Sequence, residues 1–238
     1  MQTRLTSDAT PFVIFDCDGV LVDSEPISLA VLIEMLTEAG IAIDEARARE
    51  LFLGRSLGSL IVTAKQEYGL DIDDAFLGSM RIALYQRFRA ELKAIENIAV
   101  ALEGLEESGI DWCVASSSQP ERIELSLNVA GILPRFKPSI FSATMVQNGK
   151  PAPDLFLHAA REKGHDARVC IVIEDSPAGI AAAKAAGMRV FAFVGGTHAL
   201  DESFRDAIRA LDADAVFDDM GELLHLVRQN TVRDGNHP

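Results

Sequence analysis

The sequence predicts an α/β protein: a parallel sheet with helices on both faces, interrupted after its first strand by a wholly helical insert. Three observations carry this. Short apolar runs rich in β-forming residues recur along the chain, and amphipathic helical stretches alternate with them. The stretch between the first two runs is helical throughout and too long for an ordinary crossover.

The first run, Pro11–Phe15, ends at Asp16 and reads as a buried strand. Later runs are Asp111–Ala115, Ser139–Phe141, Val169–Ile173 and Arg189–Val194, with a weaker one at Ala213–Phe217. Helical spacing marks Ile98–Ser108, Glu121–Ala130, Pro153–Lys163, Ala178–Ala186 and Glu202–Leu211 between them. Within the insert, Ile27–Ala39 and Ala46–Leu53 place apolar residues at helical spacing. The organisation expected is therefore a core of residues 1–24 and 93–238 with a helical domain, 25–92, over the sheet's carboxyl edge. The polar stretch 229–238 reads as a disordered tail.

Composition narrows the function. A chain of 238 residues with 48% hydrophobic residues can bury a substantial core and carry a second, smaller domain. The formal net charge of −14 argues against a nucleic-acid partner, which needs basic surface to displace phosphate counterions. A phosphorylated small molecule remains compatible, because a local cationic pocket can sit within an acidic exterior. A site built from carboxylates would call for a divalent cation before accepting phosphate. Cys17, Cys113 and Cys170 lack zinc-like or CxxC spacing and read as buried free thiols in a reducing compartment. With no apolar leader and no run of membrane-spanning length, the expectation is a soluble cytoplasmic protein without a membrane partner, a monomer or weak homodimer.

Four polar insertions follow strand-like runs. Asp16, Cys17, Asp18 and Gly19 follow the first, where open α/β sheets place their ligands. Alone, such a sequence reads as a strand end with turn residues. Ser116, Ser117 and Ser118 follow the second run; their hydroxyls and amides suit phosphate oxygens, although Ser118 before Gln119-Pro120 also reads as a helix N-cap. Lys150 precedes Pro151 and Pro153-Asp154 and is held at a helix start, whereas an isolated lysine is usually solvated. Glu174 and Asp175 end the fourth run, and two adjacent carboxylates there are costly without compensation. One sheet edge gathering all four is the signal.

Taken in order, the opening DxDGVLVDSE at Asp16–Glu25, the serine Ser116, the lysine of KPAPD and the EDS ending resemble the four motifs of the haloacid dehalogenase superfamily. The likeness spans nearly the whole chain, including Gly179 and Ala181–Met188 beyond the last motif. It implies a Rossmann-like core with an inserted helical cap and a magnesium-dependent phosphatase acting on a small phosphorylated metabolite. By the same resemblance, Asp16 is the nucleophile and Asp18 the acid–base. Ser116 and Lys150 complete the catalytic set, and Mg²⁺ is held by Asp16, the Asp18 carbonyl, Asp175 and Glu174. Phosphate oxygens would meet Ser116, Lys150 and the amides of Cys17, Asp18 and Ser117.

In the insert, Gly54, Arg55 and Ser56 form a loop that in similar proteins reaches the site, where Arg55 would bind an anionic group of the substrate. Lys93 is a second candidate at the insert's far end. Within the superfamily the chain most resembles the β-phosphoglucomutase-like subgroup. It has Ser28 and Leu57 where the mutase carries a histidine and an arginine, and Phe52–Arg55 and Glu91–Glu96 look similar to bacterial phosphatases of the 6-phosphogluconate type. Dehalogenases lack the second aspartate, and the cap lysines Lys65 and Lys93 have no Schiff-base context for phosphonate chemistry. A hexose-phosphate mutase and a non-catalytic phosphometabolite-binding module remain the alternatives. His158, His165, His198 and His225 have no ligand spacing and read as surface or helix residues; His198, after Gly195-Gly196, is also a minor candidate for the cleft.

Overall fold

The computed structural model describes residues 10–52 and 57–233. Strand β1 (Phe12–Phe15) leads into four helices: α1 (Glu25–Glu38), α2 (Glu45–Phe52), α3 (Leu57–Tyr68) and α4 (Asp74–Glu91). Then come α5 (Ile98–Glu107), β2 (Trp112–Ser116), α6 (Pro120–Val129), α7 (Leu133–Phe136) and β3 (Ile140–Ser142). The rest runs α8 (Asp154–Glu162), β4 (Cys170–Glu174), α9 (Pro177–Ala185), β5 (Arg189–Phe193), α10 (Glu202–Arg209), β6 (Ala215–Phe217) and α11 (Leu223–Arg233). The expected strands and helices outside the insert are each present, shifted by at most two residues at their ends.

The six strands pair in parallel in the order β3-β2-β1-β4-β5-β6. This is the Rossmann-like order, α/β as expected, and its direction of winding reverses at β1. A parallel sheet is covered on both faces, so its strands need not alternate with polar residues. Strand β1 shows the consequence. Val13 and Phe15 enter one hydrophobic cluster, with Leu102, Ile123 and Phe136, while Phe12 and Ile14 enter the other, with Leu155, Phe156 and Ile180. Every β1 residue is fully buried, each side chain of this size contributing about 1.5–3 kcal/mol.

The helical insert has a cluster of its own, formed by Leu29, Leu32 and Leu36 of α1 with Ala48, Leu51 and Phe52 of α2. Its longest helix, α4, starts at Asp73, whose carboxylate accepts the Phe76 amide. Phe88 and Leu84 of α4 pack into the same cluster as the sheet, so the insert is seated on the core. Its two ends are held side by side. Val22 and Ala94 form an antiparallel bridge, with the Asp23 amide donating to the Lys93 carbonyl and the Ile95 amide to that of Leu21, each at 3.0 Å.

The tail departs from expectation. Residues 229–233, expected to be disordered, continue helix α11, and residues 234–238 lie outside the described residues. The polar composition misleads there because the helix is anchored through Leu223 and Val227, both fully buried, and the Arg189 guanidinium donates to the Asn230 carbonyl at 2.6 Å.

Candidate active site

Strand β1 delivers Asp16 to the carboxyl edge of the sheet beside Glu174 and Asp175 at the end of β4, and Ser116 ends β2 on the other side. A fourth chain segment supplies Lys150, four residues ahead of α8. Its ammonium donates to Asp16 Oδ1 and Glu174 Oε1, both at 2.5 Å, with all three side chains nearly inaccessible. Burial alone would lower the Lys150 pKa, but the two carboxylates raise it instead, so the lysine is a permanent cation.

Glu174 is fully engaged. Beyond Lys150, its Oε2 accepts the amides of Asp175 and Ser176 and the Ser176 hydroxyl, at 2.9–3.0 Å. The Ser176 hydroxyl in turn caps α9 by accepting the Gly179 amide at 3.1 Å. A Cβ at Gly179 would overlap the Glu174 carboxylate, which is why the helix can begin this close to it.

Asp16 and Asp175 have less support. Burial raises both pKa values; Lys150 opposes it at Asp16 and His198 at Asp175, yet both stay above the usual carboxylate range, helped by the neighbouring carboxylates. The edge therefore holds more buried negative charge than its cations balance. Among the described residues no three Asp, Glu, His or Cys side chains are already gathered as a metal cluster. The donor set itself, carboxylate and carbonyl oxygen, is nevertheless that of a hard divalent cation, and the surplus charge is what such an ion would offset.

Asp18 is set differently. Its Oδ1 takes the Ser24 hydroxyl at 2.5 Å and Arg122 Nη2 at 2.9 Å, and its Oδ2 takes the Ser118 hydroxyl at 2.7 Å. Burial would raise its pKa, but Arg122 and these donors outweigh burial and hold it below the ordinary value. The neighbouring Cys17 thiol is pushed up by burial and by Asp18 and Asp16, so it stays protonated.

These groups line a cavity of about 470 Å³. Its floor is Asp16, Asp18, Ser116, Ser117, Lys150 and Asp175. Its roof comes from one face of α4, where Leu77, Met80, Arg81, Leu84 and Tyr85 recur at helical spacing. Helix α6 begins at the cavity edge, with Ser118 and Gln119 ahead of Pro120.

Sequence reasoning misplaced or missed several residues. His198 is buried rather than at the surface and lines the cavity, as its minor candidacy for the cleft had it, with Nε2 2.9 Å from Asp175 Oδ2. Gly196 makes room for it, since a Cβ there would meet the ring at 2.7 Å. Ser118 does not cap α6; Gln119 occupies the cap position and Ser118 spends its hydroxyl on Asp18. Glu25, Arg81 and Arg122 line the cavity without having been singled out. A signal existed for Arg81, an arginine within the apolar stripe of α4. Lys93 is exposed and does not line this cavity; it enters the hinge through its carbonyl. Gly54, Arg55 and Ser56 lie outside the described residues.

The family model for haloacid dehalogenase-like hydrolases matches residues 13–193, three quarters of the chain and all four motif segments. The chain belongs to this family. A 6-phosphogluconate phosphatase of Escherichia coli is 32% identical over 187 residues, covering 78% of this chain and 83% of that protein. The solved structure of a conserved haloacid dehalogenase-like protein from Agrobacterium tumefaciens superposes with a TM-score of 0.81 at 33% identity, covering 93% and 99% of the two chains. A family hydrolase from Deinococcus radiodurans, solved with bound phosphate and sodium, gives 0.75 at 30% identity over 94% and 98%. The expected superfamily and fold are thus met.

Gly19 is, with Gly179, one of the two tightest glycines of the site. It has φ +79°, and a Cβ there would overlap Asp175 Oδ2. Gly19→Ala is expected to lower the unfolding free energy by more than about 1 kcal/mol, read as a fall in the urea midpoint.

Proposed function

We propose that this hydrolase is a magnesium-dependent phosphatase that cleaves a small phosphorylated metabolite, of the sugar or sugar-acid class, through an aspartyl-phosphate on Asp16. One observation carries the reading. A buried carboxylate at the carboxyl end of β1 touches a buried lysine inside a cavity that also presents hydroxyls and a helix N-terminus. Those are the parts phosphoryl transfer asks for, mainly positioning and charge compensation.

Asp16 attacks phosphorus in line, forming an O–P bond as the bond to the leaving oxygen breaks. Asp18, in its acid form, gives its proton to that oxygen. Water then attacks the aspartyl-phosphate, Asp18 takes the water's proton, and the Asp16–phosphorus bond breaks to release phosphate. Asp18 is ionised as Arg122 and the serines hold it, which suits the second half-reaction. The approach of an anionic phosphate raises its pKa and favours the acid form needed for the first. Ser116, Lys150 and the amides of Cys17, Asp18 and Ser117 hold the transferring oxygens.

Asp16, the Asp18 carbonyl and Asp175 are the groups that would hold Mg²⁺, with Glu174 orienting Lys150 beside them and reaching the ion at most through water. When bound, the ion supplies the positive charge that the surplus carboxylates lack, keeping Asp16 ionised and the phosphate oxygens neutralised. His198 holds Asp175 in place.

Arg81 and Tyr85 project from the roof of the cavity toward the end of a substrate remote from its phosphate. An arginine there suits a carboxylate, as a sugar acid carries. The likeness to a 6-phosphogluconate phosphatase supports the same class.

Asp16→Asn should abolish phosphate release while circular dichroism stays that of the folded protein; turnover retained by a clean preparation of that variant removes Asp16 as nucleophile. EDTA should silence the enzyme and Mg²⁺ restore it, and full activity in chelator would refute the metal dependence. On a panel of sugar and sugar-acid phosphates, Arg81→Ala should raise KM for the sugar acids about ten- to hundred-fold, the loss of one charge-assisted hydrogen bond, with p-nitrophenyl phosphate little affected. The same panel separates a mutase, which would convert glucose-1-phosphate to glucose-6-phosphate without freeing phosphate.

A further inference from the structure

Arg122 sits where the core, the second aspartate and the helical insert meet. It is the third residue of α6, on the core side of the cavity. Its Nη2 donates to Asp18 Oδ1 at 2.9 Å and lies 3.4 Å from the Ser28 hydroxyl of α1. Its guanidinium carbon lies 5.2 Å from the ring centroid of Phe88 in α4, a fully buried side chain. One cation thus contacts the site and both the first and last helices of the insert.

We propose that Arg122 is a positioning residue: it fixes the carboxyl of Asp18 and gauges the seating of the helical insert on the core. The inference rests on the phosphatase reading given above. Three donors hold Asp18: the Ser24 hydroxyl, the Ser118 hydroxyl and Arg122. Ser24 immediately precedes α1 and does not cap it, its hydroxyl being spent on Asp18. Ser118 belongs wholly to the core. Arg122 differs from both serines in being gripped from the insert's side at two points that are far apart in sequence.

The planar guanidinium suits this task. It offers several donors in a fixed fork and stacks on an aromatic face, so its orientation follows the ring beneath it. If the insert lifts, Ser28 and Phe88 move with it and the guanidinium loses the surface that orients it. The Asp18 carboxyl then loses the donor that sets its angle toward the leaving oxygen. With the insert seated, the carboxyl is aimed. Arg122 does this through the Asp18 carboxyl.

A residue that acts through a general acid matters most when the departing group is a poor one. Phenyl phosphate and p-nitrophenyl phosphate place nearly the same demand on the cavity, but nitrophenolate leaves with little need of a proton. The test is kcat/KM for both esters, with Mg²⁺, for the wild type, Arg122→Leu and Arg122→Lys. Arg122→Leu should lose at least about ten-fold more on phenyl phosphate than on p-nitrophenyl phosphate, a part of the hundred- to ten-thousand-fold a general acid supplies. Arg122→Lys, which keeps the charge without the fork, should recover part of that difference. Both esters are measured on one preparation, so any unfolded fraction cancels in the ratio. Phe88→Leu, which thins the surface under the guanidinium, should shift the ratio in the same direction by less.

Equal losses on the two esters would assign Arg122 a merely structural role and overturn the proposal, as would an Arg122→Leu variant indistinguishable from wild type. Failure of the underlying reading looks different. A wild-type protein that frees no phosphate from either ester fails before any variant is compared, and both inferences fall with it.

Discussion

The Lys150 ammonium, lodged between the Asp16 and Glu174 carboxylates, is the interaction on which the rest of this structure depends. Three segments far apart in sequence end at that point, each bringing a charge that burial alone would not tolerate. Deleting one member of such a cluster typically costs about 3–5 kcal/mol, because its partners are left charged and unpaired. The cluster in turn fixes the approach of α8 and α9. Lysine at position 150 must reach back to the sheet, and Glu174 must accept the first amides of α9 while its own strand is still ending.

Two carboxylates at this edge are treated in opposite ways, and the difference is local. Asp16 is pressed upward in pKa by burial and by like charges, with one lysine to oppose them. Asp18, only two residues on, is drawn downward by an arginine and two hydroxyls, which outweigh its burial. Neighbouring acids of divergent acidity can carry different duties in one reaction. The turn that follows them is made by Gly19 in a left-handed conformation, pressed against Asp175.

Much of this was legible in the sequence, because strands of a parallel sheet are nearly continuous apolar runs and several of the chemically important residues stand at their ends. Asp16, Ser116, Glu174 and Asp175 could all be placed that way. What was not legible depends on which strand ends become neighbours. His198 follows an ordinary Gly-Gly turn, and only the pairing of β4 with β5 brings it to Asp175. Ser118 satisfies every local rule for a helix cap, yet a carboxylate a hundred residues earlier competes for its hydroxyl and wins. Arg122 reads as a surface charge in an amphipathic helix until the insert lies across it. At the tail, a polar sequence gave no sign that the helix anchored just before it, through Leu223 and Val227, would carry onward.

The hinge has a consequence for how such a protein can change over time. Leu21–Asp23 and Lys93–Ile95 leave and re-enter the core as adjacent, mutually bonded strands. Whatever is spliced between them therefore begins and ends at nearly the same place. The roof of the cavity can be lengthened, rebuilt or exchanged by recombination without disturbing a single strand pairing. In this architecture the choice of molecule can be inherited apart from the order of the strands, provided each new roof again presents a surface to Arg122.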